Sequence, residues 1–203
     1  MTREELLKIA KPILFNTDMV KAILEEKKTT TRRNIKLPKG REDFKFTGNI
    51  NLIIAGKHGE EYPYAECVNQ FFPSVGSTYS VKCPYRKNDI LYVRETWCKD
   101  KYGYMYRANY SDNEKFYRDG AEVNVKWKPS IHMPKEAARI FLKVKDVRVE
   151  RLQDIDDKGA YEEGAGEKDA IYYIGGRVCD FAKIWNSTIK NSDLGKYGWD
   201  ANP

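Results

Sequence analysis

The chain has 203 residues, 41% of them hydrophobic and 33% charged, which is a globular composition large enough for one domain with its own core and short for two. It excludes a disordered chain, and apolar runs such as 51–55 fall far below the length that spans a bilayer, so no membrane partner is expected. Lys and Arg total 36 against 30 Asp and Glu; the net charge of +6 favours anionic partners, although surplus lysine on a solvated surface produces the same number.

The first strand signal is Lys11-Pro-Ile-Leu-Phe15. Asn16, Thr17 and Asp18 then offer helix caps. Met19, Val20, Ile23 and Leu24 recur at helical spacing, which predicts an amphipathic helix of about ten residues, 17–27. Residues 38–85 are rich in Gly, Pro, Asn and Tyr and read as an elaborated insertion with one or two short hairpins. Asp89-Ile-Leu-Tyr-Val-Arg-Glu95 alternates as a core strand, with 104–108 as its hairpin neighbour. Residues 139–149 carry the longest strand signal, with Ile140, Leu142 and Val144 on one face. Asp154-Ile-Asp-Asp caps a helix that runs through Tyr161-Glu-Glu163 and stops at Gly164. Another amphipathic helix begins at Phe181. Strands and short helices in this mixture predict an α+β fold, a single domain over 1–203, with a small, mainly antiparallel barrel or sheet.

The start, Met-Thr-Arg-Glu-Glu, has no apolar stretch before a small-residue cleavage site, which argues for a cytoplasmic chain with reduced thiols. The four cysteines form no C-x2-C pair and His58 and His132 are far apart in sequence, so neither a metal nor another cofactor is expected.

Lys27-Lys-Thr-Thr-Thr-Arg-Arg33 is the densest functional signal, with four cations and three hydroxyls in seven residues. Crowded cations disfavour further positive charge, so a lysine here can act as a base and activate a threonine hydroxyl three residues away. The plainer reading is a solvated basic helix end that touches a phosphate. Arg94, Glu95 and Trp97 cluster at a strand end. Trp97 could stack on a base and Glu95 accept its hydrogen bonds; the alternative for Trp97 is a core aromatic. Ser130 and His132 sit in a proline-bracketed loop and could line a site, without a catalytic role for the lone histidine. Glu163 could pair with the basic cluster or be plain exposed charge.

Taken in order, Lys-Lys-Thr-Thr-Thr-Arg-Arg (27–33), Asp-Ile-Leu-Tyr-Val-Arg-Glu-Thr-Trp (89–97), the strand 139–149 and Ala-Tyr-Glu-Glu-Gly (160–164) resemble an ASCH domain, of the PUA-like superfamily. Trp-Lys-Pro-Ser-Ile-His-Met-Pro (127–134), Val-Glu-Arg-Leu-Gln-Asp-Ile (149–155) and Trp-Asp-Ala-Asn-Pro (199–203) bring it closest to a phage and prophage branch. The resemblance implies a small β-barrel whose mouth, flanked by short helices, accepts a nucleobase or nucleic acid in a bacterial host or phage-infected cell. Through the branch similar to N4-acetylcytidine amidohydrolases it implies Lys28 as base, Thr31 as nucleophile and Glu163 as proton donor or water orienter. Arg33 falls on a basic position that could hold a phosphate or an oxyanion. The sequence departs from the pattern at Asn88, where glycine is usual, and in the length of 38–85. Relatives also continue past the motif that ends at Pro203 into a closing strand, so either the sequence is truncated or the barrel closes otherwise.

Three functions compete. Recognition of RNA, DNA or a modified nucleoside, with Lys27, Arg32, Arg33, Arg94, Glu95 and Trp97 as contacts, is placed first because fold does not determine function. Removal of an acyl group from a modified nucleoside through Lys28, Thr31 and Glu163 is second. Ribonuclease action is third, lacking a histidine pair.

Overall fold

The structure, a computed structural model, describes residues 1–35, 84–117, 120–167 and 176–203 and the backbone of residue 118 and of the strands 45–53 and 66–72. In chain order its elements are α1 (Arg3–Ile9), β1 (Lys11–Leu14), α2 (Thr17–Leu24), β2 (Lys45–Ile53), β3 (Glu66–Phe72), β4 (Ile90–Arg94), β5 (Trp97–Asp100), β6 (Gly103–Tyr106), β7 (Phe116–Arg118), β8 (Ala121–Val123), β9 (Phe141–Lys143), α3 (Asp157–Glu162), α4 (Gly176–Ser187) and α5 (Leu194–Tyr197). Helices and strands mix, as the pattern predicts. The strands pair as one three-stranded sheet and three two-stranded hairpins; among the described residues they close no barrel.

The sheet is built around β4. It runs parallel to β1, with Ile13 opposite Val93, and antiparallel to β9, with Leu91 opposite Leu142. Period-two alternation decides what each face of β4 touches. Leu91 and Val93 join Ile13, Phe15 and Val20 in one apolar cluster, with Ile140, Leu142 and Val144 packed against it. Ile90 and Tyr92 face a second cluster containing Ala10, Trp97, Met133, Ala137 and Ala138. A strand with a core on each side needs a near-continuous apolar run, and Ile-Leu-Tyr-Val supplies it.

Three expectations change. The extended segment 139–149 is a strand only over Phe141–Lys143: Val93 N–H reaches Ile140 O and Val144 N–H reaches Asp89 O, and no described strand pairs beyond them. Tyr104 is not the neighbour of β4. Gly103, at φ +129, makes the turn that folds β6 back onto β5, with Tyr104 opposite Lys99. Helix α2 stops at Leu24, short of residue 27: Glu26 turns left-handed at φ 58, and the N–H groups of Glu26 and Lys27 cap the carbonyls of Ile23 and Ala22. Within 38–85, β2 and β3 do form an antiparallel hairpin; the rest of that insertion lies outside the described residues.

A third cluster joins α3 to α4 through Leu152, Ile155, Ala160, Ala165, Phe181 and Trp185. The motifs 149–155 and 199–203, distant in sequence, lie against each other here. Asn202, left-handed at φ 46, accepts from Gln153 N–H at 2.8 Å, and Gln153 Nε2 donates to Trp199 O at 2.9 Å.

Candidate functional site

Two helix ends abut at the site. The carbonyl of Ala22, in the last turn of α2, accepts from the N–H groups of Lys27 and Lys28 at 2.9 Å each. The carbonyl of Glu162, at the end of α3, accepts from Thr29 and Thr30 at 2.8 and 3.0 Å. Helix α3 starts where Asp156 caps Gly159 N–H and ends at Gly164, which takes φ +94. A Cβ there would stand 3.1 Å from the Ala22 Cβ and 3.6 Å from that of Lys28, so glycine serves both the turn and the close approach.

That packing buries Lys28 against Glu163. Their side chains are 2% and 5% exposed, and Nζ donates to Glu163 Oε2 at 2.7 Å and to the Glu163 backbone oxygen at 2.8 Å. Burial lowers the Lys28 pKa below its ordinary value; Glu163 opposes the shift by Coulomb attraction and hydrogen bonding, while Arg33 and Arg32 reinforce it. A neutral lysine amine carries two N–H donors and one lone pair. The two Glu163 oxygens match the donors and leave the lone pair to accept a proton.

The other cations of 27–33 are mostly occupied. Lys27 pairs with Glu167 at 3.3 Å and Glu25 at 3.9 Å, and Arg32 with Glu150 at 2.9 Å and Glu163 at 3.3 Å. Four carboxylates therefore face Lys27, Lys28 and Arg32, and the cluster presents little net positive charge. Arg33 differs: no carboxylate of the described residues pairs with it, its Nη2 donates to Leu14 O at 2.8 Å, and its guanidinium lies 5.2 Å from the Phe15 ring centroid. Glu150 lies within the 149–155 motif but is given no role by it; it enters the site because the chain after β9 passes beside Arg32.

Past Lys28 the chain is extended rather than helical, and exposure alternates: Lys28, Thr30 and Arg32 turn inward while Thr29, Thr31 and Arg33 face solvent. The helical reading that places Lys28 and Thr31 on one face is thereby corrected. Thr31 is exposed, with no hydrogen bond to Lys28 or Glu163, and the hydroxyl oxygen of Thr30 is buried without a partner. Among the described residues no three His, Cys, Asp or Glu gather as metal ligands.

The strand-end cluster lies elsewhere. Glu95, 1% exposed, is held by Arg139 through two bonds of 2.8 Å, the bidentate geometry that arginine alone provides. Trp97 is a core aromatic beside Tyr104, and Arg94 donates from Nη2 to the Ile131 carbonyl. Glu95 and Trp97 are thus engaged in packing. Ser130 and His132 form a short 3-10 turn, with His132 exposed. No helix of the described residues is long and apolar enough to cross a membrane. Compared with known proteins, the chain matches no family model, no curated protein and no solved structure.

Proposed function

We propose that the Lys28–Glu163 pair is the acid–base centre of an ASCH-type site that removes an acyl group from a modified nucleoside such as N4-acetylcytidine. The observation that carries this reading is the burial of a lysine amine against a glutamate at 2.7 Å, beside a run of three threonines. Buried ion pairs add little stability over apolar packing, and perturbed ionisable groups concentrate where chemistry is done. Neutralisation of the 27–33 cluster by carboxylates favours this over simple phosphate binding. In the wider reading the chain is a cytoplasmic, phage- or prophage-type PUA-like domain whose three-stranded sheet belongs to a barrel.

Thr31 Oγ, on the solvent side where substrate arrives, attacks the acyl carbonyl carbon. Its proton passes to Lys28 Nζ once the extended segment 29–33 rotates Thr31 from the solvent side, where it stands in this structure, toward the buried amine. The C–N bond to the exocyclic amine of the base breaks as that nitrogen takes a proton, and water then hydrolyses the Thr31 ester to free carboxylate and hydroxyl. Glu163 holds the amine with its lone pair available and stabilises the ammonium that forms. Product analysis with N4-acetylcytidine tests this. Cytidine and acetate should appear with the wild type and vanish in Thr31→Ala and Lys28→Met; hydrolysis that survives Thr31→Ala removes the mechanism.

Recognition without chemistry is the second reading, and Arg33 supports it: an arginine with no carboxylate partner among the described residues, its guanidinium partly desolvated between the Leu14 carbonyl and the Phe15 ring, can take a phosphate oxygen. Saturable nucleoside binding with no product would select it.

A further inference from the structure

The net charge of +6 has to reside somewhere, and the 27–33 segment, faced by four carboxylates, is not where it is concentrated. A different group of lysines is unpaired. Lys99, Lys101, Lys128 and Lys135 have no ion-pair partner among the described residues. Each lies over an aromatic ring instead: Lys99 over Tyr104 at 5.0 Å, Lys101 over Tyr102 at 4.9 Å, Lys128 over Trp97 at 5.0 Å and Lys135 over Tyr92 at 5.4 Å.

These lysines share one region of surface. In the β5–β6 hairpin, Trp97 stands opposite Tyr106 and Lys99 opposite Tyr104, so the period of two puts all four side chains on one face. Lys128 bridges to Trp97 backbone to backbone, at 3.1 and 2.7 Å, which lays the segment from Lys128 along the hairpin edge. Trp97 and Tyr104, the rings under Lys128 and Lys99, have centroids 5.7 Å apart. Tyr92, under Lys135, belongs to the same apolar cluster as Trp97. Carboxylates nearby include Asp100 in the hairpin, Glu136, whose Oε1 accepts from Tyr104 Oη at 3.3 Å, and the buried Glu95, which Arg139 neutralises from over the Tyr106 ring. At the turn, Tyr102 is 79% exposed, a full aromatic face in water.

We propose that this lysine-on-aromatic face, the hairpin Trp97–Tyr106 with the Lys128–Lys135 segment beside it, docks the backbone of a single-stranded nucleic acid. Unpaired ammonium groups offer themselves to phosphates, and the rings beneath hold their stems in place. The exposed Tyr102 supplies a platform for one unstacked base, which a duplex would not present. The face is separate from the Lys28–Glu163 pair and its binding does not depend on the chemistry proposed there. Together the two imply that the acylated nucleoside is presented within a strand.

The test is fluorescence anisotropy with a labelled single-stranded RNA of about 16 nucleotides, titrated over a range of salt. Each phosphate contact contributes about 0.7 to the slope of log affinity against log salt, so Lys99→Gln with Lys128→Gln should flatten the slope by about 1.4. Glutamine keeps part of the aliphatic stem over the ring, and melting curves of the variant verify its fold. Tyr102→Ala should weaken binding while leaving the slope unchanged. Lys27→Gln with Arg32→Gln should leave the slope within error. Absence of binding at low salt, an unchanged slope in the Lys99/Lys128 variant, or equal binding of poly-glutamate would each overturn the proposal, as would anionic vesicles that retain the protein when RNA does not. Loss of N4-acetylcytidine hydrolysis has no bearing on these readouts, so the two readings fail separately.

Discussion

Replacing Glu163 by glutamine probes the buried pair most directly. The substitution keeps shape and a hydrogen-bond acceptor but removes the charge facing Lys28, which is 2% exposed. Arg32 retains Glu150 at 2.9 Å, so the stranded ion is the lysine alone. Breaking a buried pair from one side costs about 3–5 kcal/mol. For a chain of this size that corresponds to a fall in Tm of about 2–4 °C per kcal/mol. The pH dependence gives the sign. Burial already holds the folded-state Lys28 pKa below 10.5, and removing the glutamate that raises it lowers it further. Between the folded and unfolded pKa the unfolded chain binds more protons, so stability rises with pH across that window and stops rising above the unfolded value. The deficit of Glu163→Gln relative to wild type should therefore be largest where Lys28 is charged in both proteins and shrink where the variant loses the proton first. Urea denaturation followed by circular dichroism at several pH values between 6 and 10 measures this. In a Lys28→Met background the same substitution should cost little or restore stability, because it neutralises a buried carboxylate left with Arg32 alone and strands no ammonium. An equal cost in both backgrounds would refute the argument.

Further outcomes follow from single features. Glu26→Gly should stabilise by about 1 kcal/mol, since φ 58 strains any residue with a Cβ; an unchanged urea midpoint would count against it. Gly164→Ala should destabilise by more than about 1 kcal/mol, because the new methyl meets Ala22 at 3.1 Å, and should lower the proposed acyl-nucleoside hydrolysis; melting and product assays read the two effects. Arg139→Met should cost about 3–5 kcal/mol by stranding Glu95, with Arg139→Lys recovering part of it in the same melts. Asn202→Ala should cost about 1–2 kcal/mol, and Asn202→Gly less, because glycine takes φ 46 freely while both lose the bond to Gln153.

Local signals are legible wherever a short stretch of chain settles its own conformation. Asn16 caps α2 because its side chain reaches Met19 N–H three residues on, and Gly164 ends α3 because a left-handed turn is needed there. The apolar faces of α2 and β4 follow from spacing alone. Helix α1 carries an equally local signal in the Thr2–Glu5 capping box, which the motif-led reading passes over. The pairing of β5 with β6 likewise lies in the turn around Gly103, where proximity in sequence should outweigh the attraction of matching 104–108 to the stronger strand 90–94.

The candidate site divides along the same line. That 27–33 is basic, hydroxyl-rich and placed at a helix end is a property of the sequence. That Lys28 meets Glu163 is a contact across 135 residues, anticipated through resemblance and not by spacing. Which cations are free is decided by tertiary structure alone. Glu150 and Glu167 neutralise Arg32 and Lys27 because distant segments bring them there, whereas Lys99 and Lys128 receive no carboxylate among the described residues. The orientation of the threonines is also tertiary: the Glu162 carbonyl holds Thr29 and Thr30 in extended chain, and that turns Thr31 outward. Composition counts charges, but electrostatic character depends on separations of a few ångströms between residues far apart in the chain, and folding alone sets those separations.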